Sequence, residues 1–363
     1  MIRVWVLAGL VATGLAACAP AAPEDAPPPA IGPAPRVAPP PAGSLYHGVY
    51  PGGTTGYEDD ITPATLASYE QHVQKSAAWV YFSHNWFRGR AFPTDTARWI
   101  RDRAGSIPYV RLMMRSDREL DPDSIDRPAF PLHRIARGDY DGDLRAWARA
   151  ARDFGTPILA EFGTEMNGRW FPWNAVHNGD SRGARRFREA YRRIIRIARE
   201  EGAHNVTWVF HVNHQDYPAR SWNRFEEYYP GDAWIDWIGV SVYGAQKPTD
   251  TTWPQFRPLM DAVYPRLTAL SSSKPIVLLE FGADGRNPLG DQARWAEDAL
   301  RDLVGGRWPR LIGFSWWNER WPNDDDPSHD TIMRVQDNPA LAAVFQRWVG
   351  GQASVLGRVR TTP

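Results

Sequence analysis

Eight short apolar runs, alternating with helical patterns, predict an α/β fold for this 363-residue chain, a single (β/α)₈ barrel. The runs are nearly continuous in apolar residues, as strands buried on both faces must be. No Gly-rich phosphate loop follows an early run, which disfavours the runner-up, a doubly wound sheet. The runs cover 45–50, 78–83, 107–114, 157–165, 206–212, 237–243, 275–281 and 311–317. Helices are expected at 63–75, where Thr62 can cap and Pro63 can start the first turn, and at 252–270, 291–304 and 339–349. The clearest helix is 181–201, with Phe187, Tyr191, Ile194 and Ala198 on one stripe and eight Arg over much of the rest. That Arg face reads as the solvated side of an outer barrel helix.

The N-terminus carries a different signal. Arg3 precedes an apolar run from Val4 to Leu15, followed by Leu15-Ala16-Ala17-Cys18. The run is too short to span a membrane and reads as a secretory leader over residues 1–17. Cys18 is the sole cysteine, so an intramolecular disulfide is excluded, and its place resembles the lipidated cysteine of a bacterial lipobox. Ala19 after it points to the outer membrane. Ten prolines between residues 19 and 43 predict a disordered stalk over 18–43, leaving 44–352 for the barrel and 353–363 as a tail.

Composition narrows the function classes. Lys+Arg and Asp+Glu are both 42, which gives no support to a nucleic-acid partner. Eighteen Trp fit a large core, a sugar-binding cleft, or both. Barrel sites are built at the C-terminal ends of strands. Two carboxylates there interrupt apolar runs, Glu165 and Glu280, and burying them is costly unless they have partners or a task. Glycoside hydrolysis needs such a pair, one group to protonate the leaving oxygen and one to attack or to activate water. Glu161 lies an even number of residues from Glu165 and competes from deeper in the barrel. Glu319 falls past the last strand and reads as a loop residue. Buried arginines such as Arg111 and Arg115 offer the alternative, purely structural partners for the glutamates. His211 and His214 form a His-x-x-His pair with His84 elsewhere, but residues three apart on a strand face opposite ways, so no metal and no cofactor are expected.

Glu165-Met166-Asn167-Gly168-Arg169-Trp170-Phe171-Pro172-Trp173 resembles the acid/base motif of glycoside hydrolase family 26, the β-mannanase family of clan A. Segments 62–86, 138–141, 237–239 and 275–282 resemble that family in the same order. The resemblance implies a retaining mechanism, with Glu165 as general acid/base and Glu280 as nucleophile. It implies that Tyr243 holds the nucleophile, that Trp316 floors the cleaved sugar's subsite and that Trp170 packs on the leaving-group side. Trp173 and Trp86 are further candidate platforms, and Asn167, His84 and His211 further candidate sugar contacts. Thr164 and Ser241 stand where the family usually has His and Asp, two small hydroxyl residues replacing a neighbouring pair. The expected partner is therefore a β-linked polysaccharide, cut by an endo-β-1,4-mannanase-like enzyme, with a mixed-linkage β-glucan or an exopolysaccharide as the alternative substrate. A non-catalytic sugar-binding lipoprotein is the rival of another class. The chain is expected to act as a monomer.

Overall fold

The computed structural model describes residues 28–53, 56–120, 124–125 and 127–362. The expected leader, Cys18 and the first part of the stalk lie outside the described residues. Eight parallel strands form the barrel: β1 (Leu45–Tyr50), β2 (Trp79–Asn85), β3 (Ile107–Met113), β4 (Ile158–Phe162), β5 (Val206–Asn213), β6 (Trp237–Tyr243), β7 (Ile276–Gly282) and β8 (Leu311–Trp317). Each pairs with the next in chain order, and β8 closes on β1 from Tyr46↔Gly313 to Tyr50↔Trp317. The expected strands are all present. Only the fourth is markedly shorter, because the chain turns at Gly163, whose φ is +73°.

The interior is filled by large side chains over glycines. Trp79 lies where β1 and β8 supply Gly48 and Gly313, and a Cβ at Gly48 would stand 2.1 Å from the Trp79 indole nitrogen. That nitrogen donates to Ser315 Oγ at 2.7 Å, so the buried indole N–H is satisfied. Above this layer the inward positions become polar.

Eight α-helices are described: α1 (Pro63–Val73), α2 (Thr94–Trp99), α3 (Leu132–Arg137), α4 (Asp141–Phe154), α5 (Gly183–Glu200), α6 (Phe256–Leu270), α7 (Gln292–Val304) and α8 (Pro339–Phe345). Thr62 caps α1 as expected, its hydroxyl accepting from Thr65 N at 3.1 Å. α2 to α4 were not expected from the sequence. The buried stripe of α4 is Leu144, Trp147, Ala148, Ala151 and Phe154, partly alanine and so weak in apolar contrast.

Two expectations are corrected. The Arg face of α5 is only in part solvated: Arg193 donates to Asp141 through Nε and Nη2 at 2.6–2.7 Å, and buried Arg199 donates to the Ala233 and Trp234 carbonyls. These arginines staple the helix to its neighbours. The stalk also ends earlier than residue 43. Arg36–Ala38 pair antiparallel with Arg360–Thr362, Val37 is buried, and Arg36 reaches Asp236 at 2.6 Å. The tail likewise joins the barrel, since Val355–Leu356 add to the edge of β1.

Candidate active site

A cavity of about 530 Å³ opens at the C-terminal ends of the strands. Its lining includes Glu58, Arg111, Glu165, Trp170, Asn213, Tyr243, Glu280, Trp317, Glu319 and Trp321. The two glutamates singled out from the sequence thus share one cavity, and they reach it differently. Glu280 stands on β7. Glu165 lies beyond β4, in a turn that bridges toward β5: its amide donates to the His211 carbonyl at 3.0 Å and its φ is +48°. A non-glycine residue in that region is strained, and the surrounding hydrogen bonds must hold it there.

The carboxylate of Glu165 is gripped on both oxygens. Asn213 Nδ2 donates to Oε1 at 3.2 Å and Trp170 Nε1 to Oε2 at 2.7 Å. Glu280 accepts from Tyr243 OH at 2.9 Å on Oε2. On Oε1 it has the Tyr81 hydroxyl at 3.0 Å and an Arg111 Nη2 at 3.5 Å. Burial dominates its protonation: desolvation, opposed by Arg111 and His211, pushes the Glu280 carboxyl up to about 7.

Beneath lies a second buried carboxylate with the opposite balance. Glu161 is fully buried. It has Tyr109 OH at 2.7 Å, His211 Nδ1 at 3.0 Å, Arg111 Nε at 3.5 Å and the Thr164 hydroxyl as partners. Burial alone would raise it, but His211, Arg111 and Thr164 outweigh that and hold it down at about 2. His211 is raised in turn by the Glu161 charge, against its own desolvation. Ser241 Oγ completes the chain, 2.7 Å from His211 Nε2. Thr164 and Ser241, the two departures noted in the sequence, are therefore the ends of one buried row: Thr164–Glu161–His211–Ser241. Both are buried below the cavity and do not widen it.

The Tyr81 hydroxyl joins the layers, 2.9 Å from Glu161 Oε1 and 3.0 Å from Glu280 Oε1. It has one proton, so it can donate to only one of the two carboxylates at a time. Arg111 is buried among Glu58, Glu161 and Glu280 and forms the cationic centre of the site.

Several candidate sugar contacts do not reach the cavity. Trp316 faces outward from β8, fully buried among Phe281, Trp295 and Phe345, with its indole donating to Met333 O at 2.7 Å. Strand alternation turns Trp317 inward instead, stacked on Tyr50 at 4.2 Å, and of this pair it is Trp317 that lines the cavity. Trp173 is buried, donating to Thr164 O at 2.7 Å behind the Glu165 turn. Asn167 is a bracket between loops: its amide nitrogen donates to Asn213 O, Gln215 O and Asp216, and its oxygen accepts from Asn213 N. Trp86 packs edge-on against Phe130 and Tyr140. His84 lines a separate groove of about 260 Å³ with Arg88 and Arg90, where burial lowers it to about 4. His211 supports the site from below. Trp170 and Tyr243 line the cavity.

The sequence reading passed over Tyr81, Glu58, Asn213, Trp317 and Trp321, and named Arg111 only as an ion-pair partner. Glu319, expected as a loop residue, does lie past the last barrel strand, and it is buried there, held by Tyr50 OH at 3.3 Å and Trp317 Nε1 at 3.0 Å. Desolvation and the neighbouring Glu58 raise it to about 8. Among the described residues no group of three or more His, Cys, Asp or Glu could hold a metal ion, and no helix is long and apolar enough to cross a membrane.

Residues 139–277 match the model of glycosyl hydrolase family 26. Endoglucanase H of Acetivibrio thermocellus is 25% identical over 222 residues, 61% of this chain and 23% of that protein. A mannan endo-1,4-beta-mannosidase of Bifidobacterium adolescentis is 30% identical over 181 residues, 45% of this chain and 17% of that protein. The chain thus spans less than a quarter of the length of either. Among solved structures, a modular endo-beta-1,4-mannanase from Cellulomonas fimi superposes with a TM-score of 0.60 at 18% identity, covering 87% of this chain and 72% of that one. That likeness supports the barrel fold.

Proposed function

We propose that this chain, whose residues 139–277 match the model of glycosyl hydrolase family 26, is a member of that family and an endo-acting, retaining hydrolase of a β-linked polysaccharide of the 1,4-mannan type. The observation that carries the reading is one cavity in which two buried carboxylates are held by different donors, with Trp170 on one side and Trp317 and Trp321 on the other.

The geometry suits two unlike tasks. Glu165 lies at the mouth, gripped by Asn213 and Trp170. In the proposed first step it gives its proton to the glycosidic oxygen while Glu280 attacks the anomeric carbon. The leaving chain departs with that proton and a glycosyl–Glu280 ester forms. In the second step Glu165 takes a proton from water, whose oxygen displaces Glu280. Tyr243 and Tyr81 orient the Glu280 oxygens and favour their ionised form, while Arg111 offsets their charge.

Buried Thr164 and Ser241, in place of the usual acid–imidazole pair, favour keeping a mixed-linkage β-glucan or an exopolysaccharide as a second reading. A relative named endoglucanase supports it. The test is hydrolysis of mannan, glucomannan, mixed-linkage glucan, β-1,3-xylan and the producing cell's exopolysaccharide by wild type, Glu165→Gln and Glu280→Gln. Nuclear magnetic resonance would read the anomer of the first product. We expect a first-formed β-product and loss of activity in both variants. Equal background rates for all three proteins would leave only a sugar-binding barrel, and an α-product would remove the double displacement. We propose further that Cys18 carries the lipid that tethers the enzyme to the outer membrane. Fatty-acid labelling abolished by Cys18→Ala would support this, and labelling unchanged by it would refute it.

A further inference from the structure

Tyr217 is the one large aromatic side chain that stays exposed among the described residues, with 52% of its surface open. It is not on a loose loop. Its amide donates to the Asn167 carbonyl and its own carbonyl accepts from the Arg169 amide, both at 2.9 Å. The turn that carries Glu165 and Trp170 therefore also carries Tyr217 by a backbone bridge. The Tyr217 ring lies 6.2 Å from that of Trp170, with the planes 25° apart. On its other side a groove of about 560 Å³ continues along the segment that follows Asn213, lined by His214, Arg220 and Ser221 among others.

An aromatic face left open to water gains most where a ligand covers it. Here the half-open ring, with the Arg169 guanidinium 5.9 Å from its centroid, stands beside Trp170, whose indole holds the proton donor of the proposed reaction. We propose that Tyr217 is a sugar platform on the leaving-group side, one sugar beyond Trp170, and that the chain runs from it into the groove beside Arg220. This rests on the reading of Glu165 as acid/base, which fixes which end of the cavity is the leaving-group side. Tyr217 then makes the cleft a two-ended channel. Sugars then pass Trp321 before the cleaved bond and Trp170 and Tyr217 after it, which selects internal bonds of long chains. Binding there is remote from the reacting atoms, so it also contributes to the chemical step.

The experiment compares wild type, Tyr217→Ala and Tyr217→Trp on whichever polysaccharide of the panel is cleaved and on the 4-nitrophenyl glycoside of the same glycone. In the proposed arrangement the nitrophenyl group occupies the site at Trp170 and stops short of residue 217. We expect kcat/KM of Tyr217→Ala to fall about tenfold more on the polysaccharide than on the nitrophenyl glycoside. Tyr217→Trp should restore the polysaccharide rate. Equal losses on both substrates, or none on either, would overturn the platform while leaving the proposed reaction standing. If wild type cleaves nothing, the proposed reaction fails on its own. The platform is then read by gel retardation of Glu280→Gln in glucomannan and in mixed-linkage glucan, with and without Tyr217→Ala. Weaker retardation with Tyr217→Ala supports it; identical retardation, or none, refutes it.

Discussion

Glu161 and Glu280 are two glutamates in one barrel, both buried and both within 3.0 Å of the same Tyr81 hydroxyl, yet they settle at opposite ends of the carboxyl range. Burial pushes each upward. Glu161 meets His211, Arg111, Thr164 and Tyr109, and ends at about 2. Glu280 meets two phenol hydroxyls and Arg111 at the same 3.5 Å as Glu161 does, but it has no direct imidazole contact and faces the charges of Glu165 and Glu58, and it ends at about 7. Depth does not decide protonation; the charged and donating partners do. The lower layer is a closed ion-pair network that stabilises the barrel. The upper layer is left short of compensation where the proposed nucleophile stands, in line with perturbed groups clustering at functional sites.

The largest expected effect separates the layers. Glu161→Gln leaves His211 and Arg111 buried beside a neutral amide and should cost about 3–5 kcal/mol of stability at pH 7. Glu161 is depressed from an ordinary value near 4.5. Its stabilisation is therefore present above that pH and fades as pH falls toward 2. Glu280→Gln removes a carboxylate that burial disfavours. It should leave the denaturation midpoint at pH 7 unchanged or higher while abolishing hydrolysis. Urea unfolding of both variants checks the contrast, and a stable Glu161→Gln would break it.

A smaller effect tests the upper layer alone. As the proposed nucleophile, Glu280 must be ionised to attack, and its carboxyl is pushed up to about 7. The acid limb of kcat/KM should therefore fall near pH 7 rather than near 4.5. Tyr243→Phe removes a donor to the ionised form and should move the limb to higher pH, with kcat lowered about tenfold or more. A limb that stays put in Tyr243→Phe would mean that the phenol only packs.

The lower layer was more legible in the sequence than the mouth. Polar residues at every second position of an apolar run, such as Tyr81/Ser83, Tyr109/Arg111 and His211/Asn213, mark the inward faces because strand side chains alternate. The same parity shows why Trp316 was misplaced: it is out of phase with Ser315 and Trp317, and Ser315 is the one that meets Trp79 inside the barrel. At the mouth, parity gives way to turns. Glu165, two residues beyond Gly163 and three beyond the end of its strand, reaches the cavity through a left-handed backbone that no alternation predicts. Asn167 bears the motif's polar amide yet spends it on the loop after β5, a contact between residues 46 to 49 positions apart. Tyr217 and Glu319 lie on connections, where local pattern says little about burial.

The smallest effect concerns Glu319, the mouth's own counterpart to Glu161. It is buried with only an indole N–H and a phenol on its oxygens, and it faces Glu58 rather than a cation. Its carboxyl is raised to about 8, so folding favours the protonated form. The sign follows: the folded state holds this proton from about pH 4.5 up to 8, and stability drains away as pH rises through that window. Glu319→Gln keeps the shape and removes the charge. The variant should match wild type near pH 5 and melt about 2–4 °C higher at pH 9. Melting curves across pH 5–9 check this directly. A gain of the same size at pH 5 would mean that Glu319 is ionised throughout, which would extend the cationic compensation of the lower layer to the mouth and erase the difference between them.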